Sequence, residues 1–298
     1  MDNYLTYLYL LTPLHTGGSA NEGNLMGIAR EVHTEFPYLP SSSLRGKLRS
    51  ALKQSLSSEY KEQAELLFGK KIEGGQQPTE GEIWFSDASL LFFPVASFSH
   101  QYLWVTCPLW LSRWNRWLGN QKIANTIRIW DEHLNGDQDS PKAISSVPAN
   151  PKIYLQGAVL ETGDIELIPE DAECWTLFDQ LSNNQHIFNL RRKLVVLSDA
   201  DCGVMIETGL QREVRIQIDS DSKTTQDGSF RSEEAIPPET MMFFPWGLKE
   251  GKAPSTTTEA RKQITTIMQQ RIQFGGLEGL GRGWTQSKTQ NLEGSTDA

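Results

Sequence analysis

The chain has few cysteines, no long apolar runs and no excess of positive charge. Its three cysteines, Cys107, Cys174 and Cys202, are odd in number and far apart. That spacing supplies neither a disulfide framework nor a cysteine-based zinc site, and it fits a reducing cytoplasm. No apolar run approaches the roughly 18 residues that a membrane-spanning helix needs. The opening Met-Asp-Asn-Tyr lacks the basic-then-apolar layout of a secretory signal, so no membrane partner is expected. With Lys+Arg 28 and Asp+Glu 37 the net charge is −9. Taken over the whole chain, that balance argues against a polyanionic partner, yet binding depends on the local field.

One stretch breaks the acidic trend. Between Glu35 and Glu59 lie Arg45, Lys47, Arg49 and Lys53 with no acid among them. Pro37 and Pro40 keep the chain extended up to Ser41-Ser42-Ser43. One of these serines can cap a helix, and the basic residues then fall in its first two turns. A helix N-terminus with added cations suits a phosphate. Leu44, Leu48, Leu52 and Leu56 repeat at four-residue spacing on the opposite, buried face. The same residues also fit an ordinary solvated amphipathic helix. This helix is expected to run to about Leu67, ending at Phe68-Gly69.

Tyr4 to Thr12 is apolar on both faces and reads as a central strand. Tyr7 and Tyr9 suit core packing better than base stacking. Pro13-Leu14-His15-Thr16-Gly17-Gly18 breaks that strand, and His15 is a candidate acid or phosphate contact. Ile28 to His33 reads as a short extended segment with Arg30 and Glu31 paired to one another. Ile83 to Val95 and Leu103 to Thr106 read as buried strands. Trp110, Trp114 and Trp117 form a helical stripe that suits a core or a subunit interface. Residues 135–151 read as a flexible connector. Residues 153–160 and 164–168 are expected to pair about Thr162-Gly163, followed by a helix over 171–181. A long hairpin is expected over 194–244. The polar turn at 219–228 is a poor calcium loop, because Lys223 takes a ligand position.

A helix over 256–273 precedes five glycines in nine residues: Gly275, Gly276, Gly279, Gly281 and Gly283. Such a loop can turn its amides onto phosphate oxygens, with Arg282 adding charge. It lacks the Gly-Lys-Ser/Thr ending of a phosphate-binding loop and does not open a helix after a strand. No recognisable motif therefore holds a cofactor or metal. Residues 285–298 read as a frayed polar tail.

Read together, Leu14-His15-Thr16-Gly17-Gly18, Arg30-Glu31, Phe36-Pro37-Tyr38-Leu39-Pro40 and Ser42-Ser43-Leu44-Arg45-Gly46 resemble the N-terminal signature of RAMP proteins. Phe85-Ser86-Asp87-Ala88, Trp104 to Leu109, Val196-Leu197-Ser198-Asp199 and Glu233 to Pro237, with the glycine-rich loop, resemble the repeated backbone subunit of type III-B (Cmr) CRISPR effector complexes. The resemblance implies an α+β fold, a modified ferredoxin-like (RRM-like) palm with a long thumb β-hairpin and inserted loops. It implies a single domain over 1–298, with the palm in 1–189 and 245–284 and the thumb in 190–244. It implies guide RNA, target RNA, copies of the chain in a filament and other Cmr subunits as partners. Base pairing would read the sequence while the protein holds the backbone. Guide contacts would come from Ser42, Ser43, Arg45, Lys47, Arg49 and the glycine-rich loop.

In that family the subunit also cuts target RNA, using a loop aspartate. Here the aspartate position falls at Leu25, or one residue either way at Asn24 or Met26, with Glu22 the nearest acid. His15 and Glu233 match family site residues, while the tyrosine expected two positions later is Ala235. Such cleavage needs a base or a metal-holding carboxylate. Cutting is therefore expected to be weak or absent, with a divalent metal involved only if it is retained. Two alternatives stand beside this reading: an endoribonuclease that processes guide precursors using His15, and a globular protein that binds no RNA.

Overall fold

A computed structural model describes residues 2–18, 21–22, 25–70, 79–136, 140–181, 189–216, 230–249 and 257–292. The expected turn at 219–228, Asn24 and the last six residues lie outside them. In chain order the elements begin with β1 (Asp2–Leu10), β2 (Asn21–Glu22), β3 (Leu25–Met26), α1 (Ser41–Ser55) and α2 (Lys61–Phe68). There follow β4 (Ile83–Phe85), β5 (Ser89–Ser97), β6 (Gln101–Thr106), α3 (Pro108–Leu118) and α4 (Gln121–Leu134). Next are β7 (Ala143–Ser145), β8 (Lys152–Leu155), β9 (Ala158–Glu161), β10 (Ile165–Leu167), α5 (Cys174–Leu181) and β11 (Leu194–Leu197). The chain closes with α6 (Asp199–Gly209), β12 (Gln211–Arg215), β13 (Arg231–Ala235), β14 (Met241–Leu248), α7 (Thr258–Ile267), β15 (Arg271–Gln273) and β16 (Trp284–Asn291).

Two sheets result. The larger runs β10-β7-β11-β6-β5-β14-β1-β16-β15, with β4 also on β14 and the β8–β9 hairpin on β5. The smaller runs β12-β13-β3-β2. In the larger sheet β1 lies between β14 and β16, antiparallel to both. Its alternating side chains enter different cores, which is why both faces of the strand are apolar. Leu8 and Leu10 pack with Leu44, Leu48 and Leu52 of α1 and with α6 and α7. Leu5, Tyr7 and Tyr9 pack with Trp114 of α3, Ile127 of α4 and Phe178 of α5. The tyrosines are thus core residues, and the Tyr7 hydroxyl accepts a hydrogen bond from Trp114 Nε1 at 2.9 Å. Trp110 and Trp114 are buried as well, while Trp117 is part-exposed beside Trp84. Among the described residues no helix is long and apolar enough to cross a membrane.

Several expectations need correction. The basic helix ends at Ser55, and a 3₁₀ turn at Ser58–Tyr60 separates it from α2. Residues 194–244 are not one hairpin. β11 runs parallel to β6 inside the larger sheet, and α6 follows it. Ser198 caps α6, accepting a hydrogen bond from the Asp201 amide, so Ser-Asp-Ala-Asp is a helix start and not a strand turn. Only β12 and β13 pair as a hairpin, and β14 returns to the larger sheet. The expected turn at Thr162-Gly163 instead falls at Gln156-Gly157, between β8 and β9, while β10 runs parallel to β7. β7 itself lies within the segment read as a flexible connector; Ala143, Ile144 and Ser145 are buried. Residues 284–291 form β16 rather than a frayed tail, because their backbone pairs antiparallel with β1 on one side and β15 on the other.

Candidate nucleic-acid interface

The smaller sheet gathers most of the positions singled out for cutting. β13 runs parallel to β3, with Ser232 opposite Leu25 and Glu233 opposite Met26. β2 pairs with β3, placing the backbone of Glu22 opposite Leu25. The position of the expected loop aspartate, the nearest acid and the expected glutamate therefore share one sheet. Extended chain alternates its side chains, so Arg212 and Glu234 face one way and Glu213 and Glu233 the other.

Each face carries a closed ring of two arginines and two glutamates. On the first, Arg30 Nη1 bonds Glu207 Oε2 at 2.8 Å and Arg30 Nη2 bonds Glu234 Oε2 at 3.0 Å. Arg212 closes the ring, bonding Glu207 and, at 3.1 Å, Glu234 Oε1. On the second, Arg282 bonds both Glu213 and Glu233. Arg215 Nε lies 3.0 Å from Glu233 Oε2, and its Nη2 lies 3.4 Å from Glu213 Oε2. Glu213 and Glu233 are directly cross-strand, an arrangement that repels unless cations bridge it. The hydrogen bond from Arg282 holds Glu213 below the ordinary glutamate range and raises Arg282 in turn. Burial alone would lower Arg212, but its bonds to Glu207 and Glu234 outweigh that and raise it.

Thus Arg30 and Glu31 are not paired with one another; Glu31 accepts from Arg113 at 2.8 Å. Arg282 is not turned outward as a phosphate contact, because it is buried against Glu233. Glu233 is buried and saturated by two guanidinium groups. His15 is buried, with Nδ1 at 2.8 Å from the carbonyl oxygen of Glu234. A carbonyl only accepts, so Nδ1 carries the proton and Nε2 is left to accept or exchange one. This donor set does not suit a divalent cation: both buried carboxylates are matched to arginines and one imidazole nitrogen is occupied. The expected tyrosine position, Ala235, is buried in the core.

The glycine-rich loop packs against the segment that carries His15. The Gly276 amide donates to the His15 carbonyl at 2.8 Å, and the Gly283 amide donates to the Pro13 carbonyl at 2.8 Å. The Gly281 amide donates to Glu278 O at 2.9 Å. These three amides therefore serve the fold, not an anion. Gly275 has φ +81, and a Cβ there would strike the His15 carbonyl. Gly283 has φ +80, and a Cβ there would strike the Phe274 carbonyl. Close backbone packing thus explains these glycines. A Cβ at Gly279 would meet nothing.

The basic helix is used differently from its sequence reading. Pro40 is its N-cap residue, and no serine side chain caps it. The Ser41 amide donates instead to Asp87 Oδ1 at 2.6 Å, so a carboxylate already sits at the helix start. Ser42 is exposed and Ser43 half-buried. Arg45 donates to the carbonyls of Ile83, at 3.0 Å, and Phe68, with its guanidinium over the Phe68 ring. Burial, followed by the charge of Arg49, lowers its pKa. Arg49 donates to the Gly69 carbonyl at 2.9 Å. Both arginines therefore close the C-terminal end of α2. Lys47 instead reaches the glycine-rich loop, at 2.7 Å from Glu278 Oε1; Lys47 is part-exposed and Glu278 exposed.

Arg30, Glu207, Arg212, Glu213, Arg215 and Glu234 were missed as a group. The sequence held one signal: Arg212, Glu213 and Arg215 alternate in sign within a strand-like segment. Beyond the rings the hairpin turns Val214, Ile216 and Phe230 to solvent, each about half exposed.

A family model described as the RAMP superfamily matches residues 7–286. The chain is 29% identical over 287 residues to the CRISPR system Cmr endoribonuclease Cmr4 of Pyrococcus furiosus, covering 95% of this chain and 94% of that protein. It is similar in fold to a chain of the type III-B Cmr-beta complex bound to cognate target RNA, at TM-score 0.73, 21% identity and 96% coverage of both chains. It is also similar to oligomeric Cmr4 from Pyrococcus furiosus, at TM-score 0.66, 24% identity and 98% coverage of both.

Proposed function

From the premise that the chain belongs to the RAMP superfamily, we propose that it is a backbone subunit of a type III-B (Cmr) CRISPR effector complex. In this role it grips guide RNA and arranges target RNA along a filament of its own copies. The observation that carries the reading is the nearly end-to-end similarity to a Cmr4 protein, with 95% of this chain and 94% of the relative aligned. Other Cmr subunits would complete the assembly.

On this reading the larger sheet and its helices correspond to a ferredoxin-like palm, and β12–β13 to a short thumb. The exposed Val214, Ile216 and Phe230 would meet bases, since apolar and aromatic faces stack without regard to sequence. Lys47 would meet the guide backbone, because it is a part-exposed cation that lies beside the glycine-rich loop and is tied to a surface glutamate. Arg45 and Arg49 would support the grip by fixing α1 to α2.

Target cutting would be weak or absent. Leu25 supplies no carboxylate where the family aspartate falls, and Glu233 is neutralised by Arg215 and Arg282. His15 keeps Nε2 outside its bond to Glu234, but the buried carboxylates of this sheet, Glu233 and Glu234, are already bound by arginines.

The test is purification of the full chain from cells that express the complex, followed by extraction and sizing of bound RNA. Guide-sized RNA should co-elute with the wild type and be depleted by Lys47→Glu. Absence of RNA from the wild type would overturn the reading.

A further inference from the structure

Each ion-pair ring joins a buried glutamate to one that water can reach, and the first ring is the more open. In the first, Glu234 is 3% exposed while Glu207 is 51% exposed. Glu207 rides on α6, a rigid element, and closes the ring from outside, bonding Arg30 and Arg212 together. Arg30 is held in place from below: its Nη1 also donates to the Glu35 carbonyl at 3.2 Å, and its Nη2 bonds both oxygens of Glu234. Two planar guanidinium forks therefore converge on a carboxylate that lies at the surface.

We propose that Glu207 occupies the seat of an RNA phosphodiester, and that Arg30 and Arg212 form a phosphate clamp held closed until RNA displaces it. This rests on the guide-RNA reading above and names residues for it outside the basic helix. Guanidinium forks match phosphate oxygens as well as they match a carboxylate. The charge is suited to the exchange. With Glu207 withdrawn, two arginines and the fixed Glu234 leave one positive charge, matching the single negative charge of a phosphodiester. The exchange costs little, because ion pairs this exposed contribute little to the fold. Arg212 also shares its strand face with Val214, which is 60% exposed, so a backbone contact and a base contact lie side by side on β12. The second ring is less suited to such exchange: its outer carboxylate Glu213 is 37% exposed against 51% for Glu207, and its Arg282 is 8% exposed against 22% for Arg30.

The experiment is fluorescence anisotropy of the full chain with a labelled single-stranded RNA of mixed sequence, over a series of salt concentrations. Glu207→Gln should tighten binding by roughly 2- to 10-fold, the equivalent of two exposed ion pairs. Arg212→Ala should weaken it and reduce the slope of log K against log salt by about 0.7, one single-strand phosphate. Glu132→Gln is the matched control: it removes the same charge from another exposed arginine pair, with Arg128 on α4, and should leave affinity unchanged. The proposal is overturned if Glu207→Gln binds like the wild type, or if Glu132→Gln tightens binding equally. An unchanged Arg212→Ala overturns it even where Glu207→Gln melts early. A wild type that binds no RNA overturns both this inference and the functional reading, whereas a wild type that binds with indifferent variants overturns this inference alone.

Discussion

The two sheets of this molecule are held by different physics. The larger is a dry core in which every residue of β14 is buried and both faces of β1 are covered by helices. The smaller is thin, and it is closed by two rings of arginine and glutamate, with Val214, Ile216 and Phe230 exposed along its hairpin. Burial of apolar surface is non-directional and carries no charge to screen or titrate. Ion pairs near the surface are sensitive to salt and acid. The molecule thus pairs an apolar frame with a charged margin, and the proposed RNA-binding role calls for contacts of that second kind.

That contrast can be broken by mutation. Leu8→Ala, in the larger sheet, should have the largest effect, lowering global stability by about 2–5 kcal/mol in urea unfolding. Arg282→Ala should cost less, about 1–3 kcal/mol, because Arg215 still neutralises the buried Glu233. Its loss should appear first as faster hydrogen exchange in β12–β13, with β1 and β14 still protected. Equal loss of protection in both sheets would mean they unfold as one unit.

The basic helix sharpens the comparison further. Arg45→Ala should cost about 1–2 kcal/mol, because its two carbonyl bonds and ring contact pin α2 and the strand β4 region. Lys47→Ala should cost under about 1 kcal/mol, yet it should lower the salt slope of RNA binding by about 0.7. The reverse ranking in thermal melts would restore Arg45 as the phosphate contact.

The smallest expected effect is that of acid. Arg282 holds Glu213 below its ordinary pKa in the folded state. Its contribution to stability is therefore complete above the unfolded glutamate value of about 4.3 and is lost as pH falls through the depressed folded value. Protection factors of β12–β13 amides, taken relative to intrinsic exchange at each pH, should fall as pH drops through that window in the wild type, and the fall should be absent in Glu213→Gln.

Much of the frame was legible in the sequence because it follows from periodicity. Leu44, Leu48 and Leu52 declared a buried helix face, and the two-faced apolar pattern of β1 declared a central strand. The mistakes lie where partners come from far away in the chain. No local pattern reveals that Asp87 takes the helix start from Ser41, or that Arg45 and Arg49 answer carbonyls near Phe68 and Gly69. The glycines of 275–283 read as an anion loop, since composition cannot distinguish amides turned to a ligand from amides turned to Pro13 and His15. The hairpin was overextended because Leu194–Leu197 and Met241–Leu248 are equally apolar, and pairing partners are not written in hydropathy. The rings join residues as far apart as Arg30 and Glu234, so only the fold brings them together.

On the proposed function the chain grips RNA, while Leu25 stands where the family aspartate is expected and Glu233 is bound by two arginines. The most direct test of that reading is to load the assembled complex with labelled, guide-matched target RNA and a divalent metal, and to follow retention and length together. The account predicts target that stays bound and stays whole. Regularly spaced cuts that vanish on His15→Ala or Glu22→Ala would contradict it.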